Sequence, residues 1–263
     1  MVCPCPGLFG VLKFPAAVLV FGLLAGACRS EKISAKPQEP VPAEKPREIA
    51  PAPVAVPPPA APPEPKVVDL GGGRLSIGAV TLDRKTREIT IPAAVNMREG
   101  AVEYVLVGRN GKVHESVFTT DAEASDIHVA ALLLGVKPET DLGPENSAAI
   151  VRREGAVTIR VEWDRNGPPE KVFLNETVNL SDPTTGTVSA TLPSGAWLYN
   201  GSRIEPDGVF AATRHASLIS IIRDEDSLMN NPSASRDNDE IHIPNAAKLP
   251  KQGHPVRIMV QVK

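Results

Sequence analysis

Proline divides this chain. Twelve of its 27 prolines lie between Lys36 and Pro65. Each one fixes φ and removes a backbone donor, so neither helix nor sheet propagates through that stretch. Residues 28–66 therefore read as a disordered, Pro-rich linker. Six basic and five acidic residues nearly balance in it. A polyproline-like stalk of this length reaches on the order of 100 Å at about 3.1 Å per residue. Pro57-Pro58-Pro59 and Pro62-Pro63 also permit docking to a Pro-binding domain, although such matches arise freely in this composition.

Upstream of the stalk, Lys13 precedes an apolar run from Phe14 to Ala25. The run is short of the roughly 20 residues that a bilayer-spanning helix needs. It suits the hydrophobic part of an export signal. Leu24-Ala25-Gly26-Ala27-Cys28 follows and resembles the lipobox of bacterial lipoproteins, in which the cysteine is lipidated and becomes the mature N-terminus. It departs from that pattern at Ala25, where Leu is usual. Ala25-Gly26-Ala27 also reads as an ordinary signal cleavage site, and both readings cut before Cys28. An unpaired cysteine at the cut favours the anchor. The expected organisation is a signal peptide at 1–27, a lipidated Cys28 with its linker to 66, and a globular domain at 67–263. The expected location is the cell envelope, on the periplasmic or outer-membrane side, with the membrane reached through the lipid.

The three cysteines are Cys3, Cys5 and Cys28. A domain beginning at Val67 thus has no disulfide, no thiolate zinc site, no Cys-ligated iron–sulfur cluster and no cysteine nucleophile. From 67 to 263 there are 21 basic and 26 acidic residues, with no basic stripe. Nucleic-acid binding has no electrostatic footing there.

The domain's pattern is mainly β. Arg87 to Ile91, Val157 to Trp163 and Val256 to Val262 alternate with period two. Val102 to Val107 and Val113 to Phe118 flank Asn110-Gly111, which predicts a hairpin. Asn166-Gly167 predicts a second, leading to Lys171 to Leu180. Ala196 to Tyr199 and Leu218 to Ile222 read as further short strands. One helix is expected, capped by Ser125 and ended by Gly135. Ile127, Ala130, Ala131 and Leu134 share a face, and apolar Leu132 and Leu133 predict cover on most sides. Gly71-Gly72-Gly73 reads as a flexible joint between stalk and domain. The fold class is mainly β (α+β): an antiparallel β-rich domain with one packed helix.

Several segments, in order, resemble the YdjY-type domain of bacterial envelope proteins. They include Gly78-Ala79-Val80-Thr81-Leu82-Asp83, Val102-Glu103-Tyr104-Val105-Leu106-Val107, Ile127-His128-Val129-Ala130-Ala131-Leu132-Leu133-Leu134-Gly135 and Trp197-Leu198-Tyr199-Asn200-Gly201-Ser202. The resemblance covers nearly the whole globular part and implies no established activity. Some relatives carry a ferredoxin-like label, but a domain without cysteine cannot inherit such a cluster.

His114, Glu115, Asp121, Asp126 and His128 form the candidate site. Two imidazoles and a carboxylate suit a divalent metal. The same histidines equally serve to hold the 119–125 loop by hydrogen bonds. The zincin spacing fails because Phe118 stands in its last place. Asp224-Glu225-Asp226 and Asp237-Asn238-Asp239-Glu240 are acidic enough to attract calcium, yet the EF-hand pattern lacks its glycine, so a solvated loop is the expectation. Trp197 and Tyr199 offer faces for stacking on a sugar, or serve the core. The resulting expectation is a non-catalytic module that binds an envelope protein or polymer. The alternative is a metal-binding protein or metal-dependent enzyme centred on His114 and His128.

Overall fold

The computed structural model describes residues 66–140, 153–165 and 167–263. The expected signal peptide, Cys28, the stalk up to Pro65 and Asn166 lie outside the described residues. Strands dominate in chain order: β1 (Val67–Gly71), β2 (Arg74–Ile77), β3 (Val80–Asp83), β4 (Glu88–Val95), β5 (Tyr104–Gly108) and β6 (Ser116–Thr120). After helix α1 (Ala124–Leu133) come β7 (Ala156–Arg165), β8 (Gly167–Phe173), β9 (Val178–Ser181), β10 (Val188–Thr191) and β11 (Trp197–Tyr199). A short helix α2 (Ala211–His215) leads into β12 (Ser217–Ser220), β13 (Met229–Asn230), β14 (His242–Pro244) and β15 (Pro255–Val262).

The alternating segments form the longest ladders. β15 buries every second residue and lies between β4 and β7, antiparallel to both. From there the sheet runs β7-β11-β13-β12-β5-β6, and β6 pairs back onto β4. Eight strands thus close into a barrel. β3, β2 and β1 extend the sheet outward from β4, and β8 pairs with β7. A separate three-stranded sheet has the order β10-β9-β14. One continuous apolar core includes Ile77, Leu82, Ile91, Leu106, Phe118, Ile159, Trp197, Tyr199 and Ile258.

The sheet is mixed, not purely antiparallel: β5 pairs with β6, and β12 with β13, in parallel. The cause at β5 lies in the connection. The Gly111 N–H closes a turn on the Gly108 carbonyl, 2.9 Å, as the Asn-Gly signal requires. A 3-10 turn at Val113–Glu115 then carries the chain back beside its start. Ser116–Thr120 consequently runs parallel to β5, and no hairpin forms. β7 and β8, which flank Asn166, do pair antiparallel.

Helix α1 starts from Glu123 and has no side-chain cap; Ser125 lies inside it. Its C-terminus closes at Gly135, with Gly135 N–H on the Leu132 carbonyl and Val136 N–H on the Ala131 carbonyl, a Schellman pair. Ile127, Ala130, Ala131 and Leu134 are buried, whereas Leu132 and Leu133 are 48% and 42% exposed. The helix packs on β2, β3, β4 and α2, and its remaining side faces solvent. Gly71, Gly72 and Gly73 are not a loose joint. They turn β1 into β2, with the Gly71 N–H on Asp69 Oδ1 at 2.7 Å.

Candidate functional site

The residues expected to share a metal have separate surroundings. His114 and Glu115 sit on the 3-10 turn and not on a strand. His114 is 78% exposed, with Nε2 3.8 Å from Glu115. Glu115 pairs with Lys112 at 3.0 Å. Asp121 pairs with Arg109 at an exposed position, and this bond holds its carboxyl below the usual range. His128 is half-buried on α1, where its Nδ1 shares a 2.7 Å hydrogen bond with the Tyr199 hydroxyl. Its ring also lies against Phe210, and burial lowers its pKa. Asp126, buried on the same helix, has its pKa raised by desolvation and then by Glu123. Trp197 and Tyr199 are wholly buried, so neither presents a face to a sugar.

Polar groups converge elsewhere, where β5 and β12 run side by side. A cavity of about 260 Å³ opens there, lined by Tyr104, Val107, Lys112, His215, Ser217, Asp224 and Asp226. β5 supplies Tyr104, and the turn after it supplies Lys112. α2 ends at His215, and β12 begins with Ser217. The loop before β13 brings Asp224 and Asp226.

Close packing fixes these elements against one another. The Gly108 N–H donates to the Ala216 carbonyl at 2.8 Å. A Cβ on Gly111 would stand 3.0 Å from the Ala216 oxygen and 3.1 Å from that of His215, so glycine allows this close approach without displacing the neighbouring backbone. Ala216 itself takes a left-handed turn, φ 50°. The acidic loop is held from beneath by Asn230, which is fully buried. Its Oδ1 accepts the Asp224 N–H at 2.9 Å, and its Nδ2 donates to the Asp224 carbonyl and to Asn200 Oδ1. Asp224 Oδ1 in turn accepts the Asp226 N–H, 2.9 Å. Asp224 and Asp226 are therefore ordered and partly buried, not a freely solvated run.

The chemistry of the lining is mixed. The Ser217 hydroxyl donates to Asp224 Oδ2 at 2.7 Å. Lys112 Nζ lies 4.9 Å over the Tyr104 ring and within 3.2 Å of Glu103. Burial pulls the Lys112 ammonium down, but Glu115, Tyr104 and Glu103 outweigh it and hold it above its ordinary value. Burial, and then the Asp224 charge, push the Tyr104 phenol up, so it stays protonated as a donor. Donors and acceptors alternate around a small cavity, which suits hydroxyl-bearing ligands.

Beside this cavity, Glu205, His215 and Asp226 bring three potential metal-binding atoms within 4.8 Å of one another. They are the group of this kind among the described residues. Asp226 belongs to an acidic run visible in the sequence. Glu205 and His215 carry no local motif, and only the fold of 202–226 assembles them.

Comparison with curated proteins and with solved structures gives no match. The YdjY domain model matches residues 80–261, which runs from β3 into β15, takes in the barrel and includes every residue of the cavity. The chain belongs to the YdjY domain family.

Proposed function

We propose that this chain is an exported lipoprotein, acylated at Cys28, whose YdjY barrel is a non-catalytic module binding the hydroxyl-rich end of an envelope polymer. The observation that carries the binding role is the cavity between β5 and β12. It gathers an ammonium, two hydroxyls and two carboxylates from four separate segments. Hydroxyl groups both donate and accept, so such a ligand can pair with every polar member of this lining. The volume of about 260 Å³ limits the inserted part to about one ring. Ser217 donates to Asp224, which orients the carboxylate for binding. The apolar run from Phe14 to Ala25, the lipobox-like segment ending at Cys28 and the proline stalk support the anchored placement.

The probe is a set of N-acetylglucosamine oligomers, titrated calorimetrically into the full chain in detergent with chelator present. Saturable binding is expected, weakened at least tenfold by Asp224→Asn and by Lys112→Met. Undetectable heat, or binding that both variants leave intact, would remove this reading. The anchor has its own check, because Cys28→Ala should abolish incorporation of labelled palmitate. Undiminished labelling would contradict lipidation at that residue.

A further inference from the structure

We infer that Glu205, His215 and Asp226 form a divalent-cation site, best suited to zinc, on the wall of the cavity. The inference deepens the ligand-binding reading, since His215 and Asp226 also line that cavity. It begins from two distances. His215 Nε2 lies 3.5 Å from Glu205 Oε1 and 3.5 Å from Asp226 Oδ2. Both are longer than the roughly 2.7–3.2 Å of an N–H···O hydrogen bond. A single ring N–H, moreover, can point at only one of two acceptors. Ligands bound to zinc at about 2.1 Å in a tetrahedron stand about 3.4 Å apart. The observed edges fit a shared ion better than a direct hydrogen bond.

The other oxygen of each carboxylate is already occupied. Asp226 Oδ1 accepts from Arg203 Nε at 2.6 Å, and Glu205 Oε2 pairs with Arg214 Nε at 2.8 Å. Arg203 Nη2 stays 3.9 Å from Glu205 Oε1. Each guanidinium thus turns its carboxylate so that the remaining oxygen faces His215. That is the role of outer partners in metal centres, which orient ligands through their second atom.

Charge agrees with a divalent ion. Glu205, Asp207 and Asp226 meet the guanidiniums of Arg203 and Arg214, which leaves one negative charge, and the nearby Asp224, held by the Ser217 hydroxyl, adds a second. Lys112 does not supply the balance, being paired with Glu103 and Glu115. Three protein ligands leave one tetrahedral position, and the exposed edge of His215 directs it to the cavity. The hydroxyl-rich ligand proposed for the cavity would reach the ion there.

Two features keep the loops in place without an ion. The Ser202 hydroxyl donates to the Asp226 carbonyl at 2.6 Å and accepts the Ala212 N–H at 3.0 Å. The Ile204–Phe210 bridge closes the Glu205 turn. Such a site is pre-formed, so binding costs little reorganisation.

The test uses the full chain in detergent, stripped with chelator and titrated with zinc chloride against a chromophoric competitor. Cobalt substitution then reports geometry through its visible absorption. The expected result is one tight site per chain, with an intense cobalt band of low coordination number. Glu205→Gln and Asp226→Asn keep the size of each side chain and remove its charge. Each is expected to weaken zinc at least tenfold, as is His215→Ala, whereas His114→Ala and His128→Ala leave it unchanged. Thermal unfolding of every variant confirms that it is folded. Absence of tight zinc overturns the inference, as does binding that survives the three substitutions or disappears with His114→Ala or His128→Ala. Zinc is titrated without oligomer and oligomer with chelator, so either result can fail alone.

Discussion

Gly78 and Asp126 meet more closely than any other side chain permits. Gly78 has φ 51°, and a Cβ there would lie 2.0 Å from Asp126 Oδ2. Gly78→Ala is expected to destabilise the domain by about 1–3 kcal/mol, through left-handed strain and displacement of a buried carboxyl. Gly72→Ala has a similar φ, 67°, but open space around it, so it should cost less. Chemical denaturation of the two variants measures the difference. His242 sets a second expectation. It is fully buried, its Nε2 3.1 Å from the Ser235 hydroxyl, and burial depresses its pKa to about 4 from 6.5. The unfolded chain takes up a proton near pH 6.5, while the folded one stays neutral to about pH 4. A depressed histidine therefore withdraws stability as pH falls through that window and has no effect above it. The loss approaches about 3 kcal/mol at about 1.4 kcal/mol per unit. His128, also depressed, acts in the same direction. Denaturation midpoints at pH 7 and pH 4.5 should differ more for the native chain than for His242→Gln.

Among the elements, the β4–β6 seam that closes the barrel is a short ladder. Ala94 pairs with Thr119 and Val95 with Phe118. Asn96 extends it, its Nδ2 donating to the Val113 and Ser116 carbonyls at 2.5 and 2.8 Å. Asn96→Ala should cost about 1–2 kcal/mol by leaving two part-buried carbonyls without their donor. Amide exchange at Thr119 and Val95 should quicken before that of β15. The sequence made the long elements legible because period-two burial is a local signal. β7 and β15 declare it in Val157 to Trp163 and Val256 to Val262. The parallel course of β6 was not legible, since Asn110-Gly111 encodes only a turn and the 3-10 turn after it decides the direction. The exposure of Leu132 and Leu133 was hidden for a related reason. An apolar side chain reports a preference, and whether a neighbour covers it depends on the packing of distant strands. The cavity was partly legible through Asp224 and Asp226, while His215 and Glu205 required the tertiary fold.

At the scale of the whole molecule, a closed barrel with one continuous core holds a rigid cavity on its side, and α2 with its flanking loops adds the charged wall. In the proposed reading an export signal and a stiff spacer stand ahead of this domain. We propose that together they make a binding module carried away from a membrane, and the central claim is where its ligand sits. Hydrogen–deuterium exchange of the full chain, with and without saturating N-acetylglucosamine oligomer, tests that claim most directly. The account predicts slowed exchange in residues 104–112 and 215–226, with 114–128 beyond the turn unchanged. Protection confined to 114–128, or no protection at all, would contradict it.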